Sequence, residues 1–448
     1  MRKIFQYILM AVAVVATASC SNELDETLQP AGNGILQFVV SDFPMFGEGT
    51  QTRVIGTQDE GKTAWENGDQ IIITLTSERF GEQTTAITYD GTNWGTEVSL
   101  SYLENEIPTV SAVYAPCYEV TVEGVKQLRS GMQLGMCEYL EADCEIQNGT
   151  INISFADALR TYSRLRIAGL ENQTLTVTTT DFTPAGATSV ATEPYTLTTD
   201  EKGNAYLYGT FAEGATVKVK KGDVTLTDYT FTFTTELIQS YALDARPVID
   251  GTLGGKATAE ESDITALVEQ LKAYVDNGIT TIIVPGSEPA LIEMDSWTNT
   301  AIGEAIYRLS GSDDYDENNP YNGKIDLILQ DVTEIVDQEF YSAWALNSIT
   351  LPKVIKIGDE AFHRTWFLKT ITFESVLTEV NETGGVMFAQ VGKEVDGCNL
   401  FINCGQMNES NVPAPDLTNN IWKFKFENEF KSITLTHTGE CDECKANQ

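Results

Sequence analysis

The sequence predicts a mainly β, multidomain chain in which two β-sandwiches are followed by an α/β repeat solenoid. Three observations predict it. Glu334 to Leu377 reads twice through one pattern, IVDQEFYSAWALNSITLPKVI and then KIGDEAFHRTWFLKTITFESV, at a spacing of 22 residues; a fixed period in this range means units that bury their apolar ladders against one another. Between Ile35 and Asp250, short runs of β-branched and aromatic residues alternate with turn clusters. After Gly251 the apolar spacing becomes helical. The length of 448 residues fits about three domains, and 42% hydrophobic residues are enough to fill real cores.

Residues 1–19 read as a processing signal. Arg2 and Lys3 form a positive start, Ile8 to Val15 an apolar core too short to span a membrane stably, and Ala16 to Ser19 the small residues of a peptidase site. Cys20 follows directly, an arrangement that resembles the lipobox of bacterial lipoproteins, with Thr17 where many have Leu. That resemblance implies lipid attachment at Cys20. Residues 20–34 are polar, acidic and broken by Pro30 and two glycines, as a flexible tether would be. Their acidic start resembles the surface-export signal of lipoproteins in some anaerobic Gram-negative bacteria, which implies a chain held outside the outer membrane.

Residues 35–145 form the first β block. Ile35 to Val40, Gln70 to Thr76, Thr85 to Tyr89, Val98 to Tyr102 and Thr109 to Tyr114 read as strands. The ordered pieces QTR at 51–53, TAWENGDQIII at 63–73, YDGTNW at 89–94 and SAVYAP at 111–116 resemble the first domain of fimbrillin-like (Mfa-like) proteins. Residues 146–250 form the second block, with strands expected at Ile151 to Phe155, Ser163 to Ala168, Thr174 to Thr178, Ala205 to Tyr208, Thr216 to Lys220 and Thr230 to Thr234. The segment SFADALRTYSRLRIAG at 154–169 is similar to the junction between the two fimbrillin domains. The resemblance implies transthyretin-like sandwiches for both.

Residues 251–262 are rich in small residues and read as a linker with Ser262 as helix N-cap. Ile264, Leu267, Val268, Leu271, Tyr274 and Val275 share one helical face, and Asn277-Gly278 is a stop. A strand, ITTIIVPG, and a second helix through Ile302, Ile306 and Leu309 lead into the repeats, so residues 263–438 read as a helical cap and repeat domain, with 439–448 as a tail. Leu327, Leu329 and Val332 lie 22 before Ile349, Leu351 and Val354, while NLFIN at 399–403 and KSITLT at 431–436 read as strands of irregular units. The AF or EF dipeptide, a Leu six residues later, an alternating strand and a PKV turn resemble BspA-like leucine-rich repeats of bacterial surface proteins. This implies adhesion or ligand display.

Few residues point to chemistry. With 65 Asp plus Glu against 28 Lys plus Arg, the charge of -37 repels nucleic acid and anionic lipid. His363 and His437 are the two histidines; His363 falls at a variable repeat position expected to face solvent. Seven cysteines follow Cys20, an odd number, and CDEC at 441–444 has no second pair at zinc spacing, so a tail disulfide or free thiols is expected. Asp314, Asp316 and Asn318 have the alternate spacing of a calcium loop, but Asn319 and Ile325 stand where Gly and Glu belong, which favours a solvated loop. No metal, no cofactor and no catalytic residue is expected. Tyr341, Trp344, Trp366 and Phe367 precede the repeat strands: an exposed pair of Trp344 and Trp366 would make a ligand platform, whereas a packed pair would be core.

The expected function is that of a cell-surface adhesin, a tip or accessory fimbrial subunit or a free-standing protein, whose repeat head binds a protein or glycan. The fimbrillin resemblance implies trimming by an Arg-specific protease, for which Arg53 is the candidate, and strand exchange with other subunits. The competing class is a surface glycan-binding or glycan-processing lipoprotein.

Overall fold

A computed structural model describes residues 36–48, 62–96, 98–103, 106–155, 160–293, 298–311, 315–380, 387–403 and 429–436. The signal, the tether with Cys20, Arg53, His437 and the CDEC tail lie outside the described residues. Within them the chain is mainly β.

The first block is one seven-stranded sheet in the order Gln37–Val40, Thr150–Ser154, Leu140–Gln147, Thr109–Tyr114, Gln70–Ser77, Gly81–Tyr89, Trp94–Gly95. It curls until its first and last strands approach each other. The curled sheet encloses Ile71, Ile73, Ile87, Tyr114, Leu140, Ile151 and Ile153, with Phe38, Val40, Trp65 and Trp94 closing the seam. The sandwich expected over 35–145 is thus a single sheet wrapped on itself. The expected boundary at 146 also moves: Leu140–Gln147 and Thr150–Ser154 are one antiparallel hairpin, so the first block runs on to about Phe155. Asn148 and Gly149, both in the left-handed region, make its tight turn. Sequence alone did not pair the cysteines; Cys117 and Cys137 form a disulfide at the base of the hairpin Tyr118–Val120, Lys126–Leu128.

The second block is a true two-sheet sandwich. One sheet orders Phe182–Pro184, Asn204–Phe211, Ser163–Ala168, Gln239–Asp244 and Gly47–Glu48; the other orders Tyr195–Thr198, Thr174–Thr179, Thr216–Lys221 and Val224–Thr230. Strict alternation, as in Thr174–Thr179, sends Leu175 and Val177 inward to meet Leu165, Ile167, Phe182, Phe211, Val217 and Phe231. The expected strand at 230–234 is displaced: the strand is Val224–Thr230, and Phe231 leaves it to stack on Phe211 at 4.7 Å.

The third block stacks parallel strands in the order Thr281–Val284, Ile325–Leu329, Leu346–Leu351, Thr370–Phe373, Cys398–Asn403, Phe430–Thr436. The sequence period is the structural register: Leu327 pairs with Ile349 and Ile349 with Ile371. A second parallel ladder, Glu334–Ile335, Lys356–Ile357, Glu379–Val380, runs along the stack. Its last step is 23 residues, because the turn after Phe373 holds one more residue; Leu377, rather than the aligned Val376, takes the buried place of Val354. Phe340, Phe362 and Phe388 stack at 5.6 Å steps and form the spine of the core.

Helix α1 (Glu261–Asp276) and helix α2 (Ala301–Leu309) pack on each other ahead of the repeats. The N-cap of α1 is Glu260 instead of Ser262, its amide donating to the Asp263 carboxylate at 2.9 Å. The expected linker 251–262 is not free: the Ala290 amide donates to the Gly251 carbonyl and the Ala259 amide to the Leu291 carbonyl, and Ile249 is already in the repeat core.

Helix α2 abuts the first repeat loop through Glu339, a carboxylate with no counterpart in the next unit, where Ala361 stands. Glu339 is buried; it accepts from the Thr300 hydroxyl at 2.8 Å and the Val336 amide at 3.1 Å. Burial pushes its carboxyl up to about 7, against the pull of those two hydrogen bonds. A raised folded-state value means that the folded chain holds the proton, so this contribution is complete below the ordinary glutamate range and is lost as pH rises through about 7. Glu339→Gln copies the protonated form. Its unfolding free energy from denaturant titration should match the parent's at pH 4.5 and exceed it at pH 8 by on the order of 3 kcal/mol; equal values at both pH values would refute a proton on Glu339.

Candidate functional site

Because side chains alternate along a strand, the repeat sheet has an inward and an outward face. Ile282, Leu327, Ile349, Ile371, Leu400 and Ile433 form an inward row. Outward, one row reads Asp326, Ser348, Thr370, Asn399, Ser432, and its neighbour reads Ile328, Thr350, Thr372, Phe401, Thr434. Nearly all are half-buried by their lateral neighbours, while Ser432 and Thr434 on the last strand are exposed.

The first row is internally bonded. Asp326 accepts from Asn347 Nδ2 at 2.7 Å and Ser348 Oγ at 2.6 Å, and Ser432 Oγ donates to Asn399 Oδ1 at 2.8 Å. These bonds fix the rotamers and leave the face flat. The second row sets Phe401 at the end of a line of threonine hydroxyls and methyls. Lys353 pairs with Asp331 and Lys356 with Glu334 along the rim, each 22 residues apart, so charge repeats with the stack. Such a face offers hydrogen bonds and apolar contact to an elongated ligand. Phe401 escaped the sequence pattern because it pairs with Thr372 at a spacing of 29; the enlarged unit hides the period, and the alternation of NLFIN is the remaining signal.

The aromatic residues singled out in the sequence lie elsewhere. Trp344 is 1% exposed and Trp366 is 8%; their rings stack at 5.2 Å and Tyr315 lies edge-on to both. The indole of Trp344 donates to the Arg364 carbonyl at 2.9 Å and that of Trp366 to Gln390 Oε1 at 3.2 Å. The pair is therefore core, and the exposed platform is corrected: stacking one unit on the next covers both faces that a ligand would need. Tyr341 and Phe367 are half-buried beside it, Tyr341 edge-on to His363 at 5.3 Å and Phe367 against Tyr315 at 6.3 Å. His363 is half-buried rather than solvent-facing, and burial holds its imidazole below the ordinary range. In the calcium-like loop, Asp316 accepts from the Asn318 amide at 2.9 Å and so serves the turn. Among the described residues, no cluster of three His, Cys, Asp or Glu could hold a metal, and no helix is long and apolar enough to cross a membrane.

No family model matches the chain and no curated protein matches it. Two solved structures overlap about half of it. A candidate cell adhesion protein from Bacteroides fragilis NCTC 9343 is 10% identical with a TM-score of 0.22, over 47% of this chain and 92% of its own. The shaft pilin spaA from Lactobacillus rhamnosus GG, in a point-mutant form, is 12% identical with a TM-score of 0.15, over 48% of this chain and 98% of its own. Overlaps at this level fix neither fold nor function.

Proposed function

We propose that this chain is a cell-surface adhesin-type lipoprotein, anchored in the outer membrane through lipid on Cys20, with two fimbrillin-like β blocks that carry a BspA-like leucine-rich-repeat solenoid as binding head. The observation that carries this reading is the outward face of the six-stranded parallel sheet, a flat array of fixed polar side chains beside the row Ile328, Thr350, Thr372 and Phe401. A rigid face of this kind suits contact with a protein or glycan surface instead of catalysis, and the net acidity disfavours nucleic acid. Two strands ahead of Arg53 support a tip or accessory fimbrial role: Gln37–Val40 and Gly47–Glu48 each lie at the edge of a sheet, held in parallel pairing. A cut after Arg53 would leave them held by those edge pairings and by the contacts of residues 41–46 with Trp65, Phe155 and Arg160. They would then have no covalent link to the rest of the block, which is the starting point for strand exchange.

The test uses cells displaying the full chain. Adhesion to panels of matrix proteins and polysaccharides should fall at least tenfold with Thr372→Arg and with Phe401→Ser, at unchanged melting temperature. The fraction sheared from the same cells should contain heat-sensitive high-mass species lacking residues before Val54. Adhesion indifferent to both substitutions sinks the binding face, and an untrimmed lipid-bound monomer sinks the fimbrial role.

A further inference from the structure

A second interaction surface lies in the first block, away from the repeat head. Strand Gly81–Tyr89 pairs along its whole length with Gln70–Ser77, but on its other side it meets only Trp94–Gly95, at Thr88 and Tyr89. The amide and carbonyl of Tyr89 both bond toward the Gly68 and Asp69 side. Alternation along an antiparallel strand then turns the backbone groups of Glu82, Thr84 and Ala86 outward. None of the three has a backbone partner on that side among the described residues.

This open edge is the floor of a cleft of about 1130 Å³. One wall is Thr96 with Val98 to Leu100, where the sequence predicts a strand at 98–102. The structure holds it off by side chains instead: Gln83 exchanges two hydrogen bonds with the Ser101 backbone at 2.7 and 2.9 Å, and Thr85 bonds Thr96 at 3.0 Å. The other wall is the disulfide-stapled hairpin, whose tip supplies Val120 to Gly124. Gly124 lies so close over the edge that a Cβ there would sit 3.2 Å from the Thr84 carbonyl oxygen. Val98 and Val122, one near each wall, are 56% and 103% exposed and offer apolar contact to whatever enters.

The charges that line the cleft have one sign. Among the described residues, Glu82, Asp90 and Glu123 contribute carboxylates and no Lys or Arg lines it. We propose that the Glu82–Ala86 edge captures an extended, lysine- or arginine-bearing peptide segment of a partner protein, which adds as a strand in line with Trp94–Gly95. Main-chain bonds to Glu82, Thr84 and Ala86 supply attachment, the exposed valines meet apolar side chains, and the carboxylates select basic ones. Asp90 stays ionised well into acid, because the Asn93 and Thr92 amides hold its carboxyl below the usual range. The same carboxylates disfavour an acidic strand from a second copy of this chain, whose net charge is -37.

The experiment is anisotropy on the full chain with three blocked, labelled heptapeptides: valine alternating with lysine, valine alternating with glutamate, and the lysine peptide with a central proline. The lysine peptide should bind at least tenfold more tightly than the other two, weaken as salt rises, and slow amide exchange at Thr84 and Ala86. Thr84→Pro removes the outward amide at an edge position where proline is tolerated, and should cost at least tenfold at unchanged melting temperature. The double substitution Glu82→Lys, Glu123→Lys should reverse the order of the lysine and glutamate peptides, which a merely structural role for these residues would not do. Equal binding of all three peptides, protection confined to other strands, or concentration-dependent self-association without peptide binding would each overturn the proposal.

Discussion

Arg160→Ala is expected to lower the stability of the two β blocks by about 3–5 kcal/mol. Arg160 is 1% exposed and joins three pieces of chain that are far apart in sequence. Its guanidinium pairs with the Glu138 carboxylate at 2.8 Å, donates to the Pro44 and Met45 carbonyls at 3.0 and 3.1 Å, and lies 3.7 Å from the centre of the Phe46 ring. Truncation leaves Glu138 buried with only the Tyr162 hydroxyl, at 2.9 Å, to face its charge. It also frees the segment that carries the chain from Gln37–Val40 to Gly47–Glu48. Replacing both partners, Arg160→Met with Glu138→Leu, should recover most of the loss, since two charges are then removed together instead of one being stranded. Denaturant unfolding of the parent, the single and the double variant measures this. A single variant as stable as the parent, or a double variant less stable than the single, would contradict the clamp.

Phe362→Ala should cost a similar amount, about 3–5 kcal/mol, but distribute it differently. Phe362 is fully buried between Phe340 and Phe388, with ring planes 22° and 8° from parallel. In a stack each unit touches only its neighbours, so a hole in the middle uncouples what lies beyond it. The strands Cys398–Asn403 and Phe430–Thr436 should exchange their amides at least tenfold faster, while Ile325–Leu329, backed by α1 and α2, changes least. Phe430→Ala, at the open end and already 7% exposed, should loosen only its own strand. Hydrogen exchange resolved by segment separates the two cases, and uniform acceleration across all six strands would show that the stack unfolds as one unit.

The features legible in the sequence are those written in local periodicity. The pairings of Leu327, Ile349 and Ile371 could be aligned before any coordinates because each repeat uses the same residues for the same inward row. The face of α1 followed from helical spacing in the same way. Where one residue was inserted, as between Phe373 and Leu377, or several, as before NLFIN, the pattern lost register although the fold did not. Backbone loops absorb insertions that a strict period cannot.

By itself, the sequence determined the mainly β character of the first two blocks, the two helices that precede the repeats and the 22-residue unit that stacks on itself, since these depend on alternation and spacing along the chain. Only the tertiary structure decided that Trp344 and Trp366 are core, that Thr150–Ser154 belongs to the first block, that Cys117 meets Cys137, that Phe401 stands in the outward row, and that Glu82–Ala86 pairs with a strand on one side only among the described residues. Those outcomes depend on which elements approach from outside the local segment. Burial and pairing are properties of that approach, and no stretch of sequence contains it.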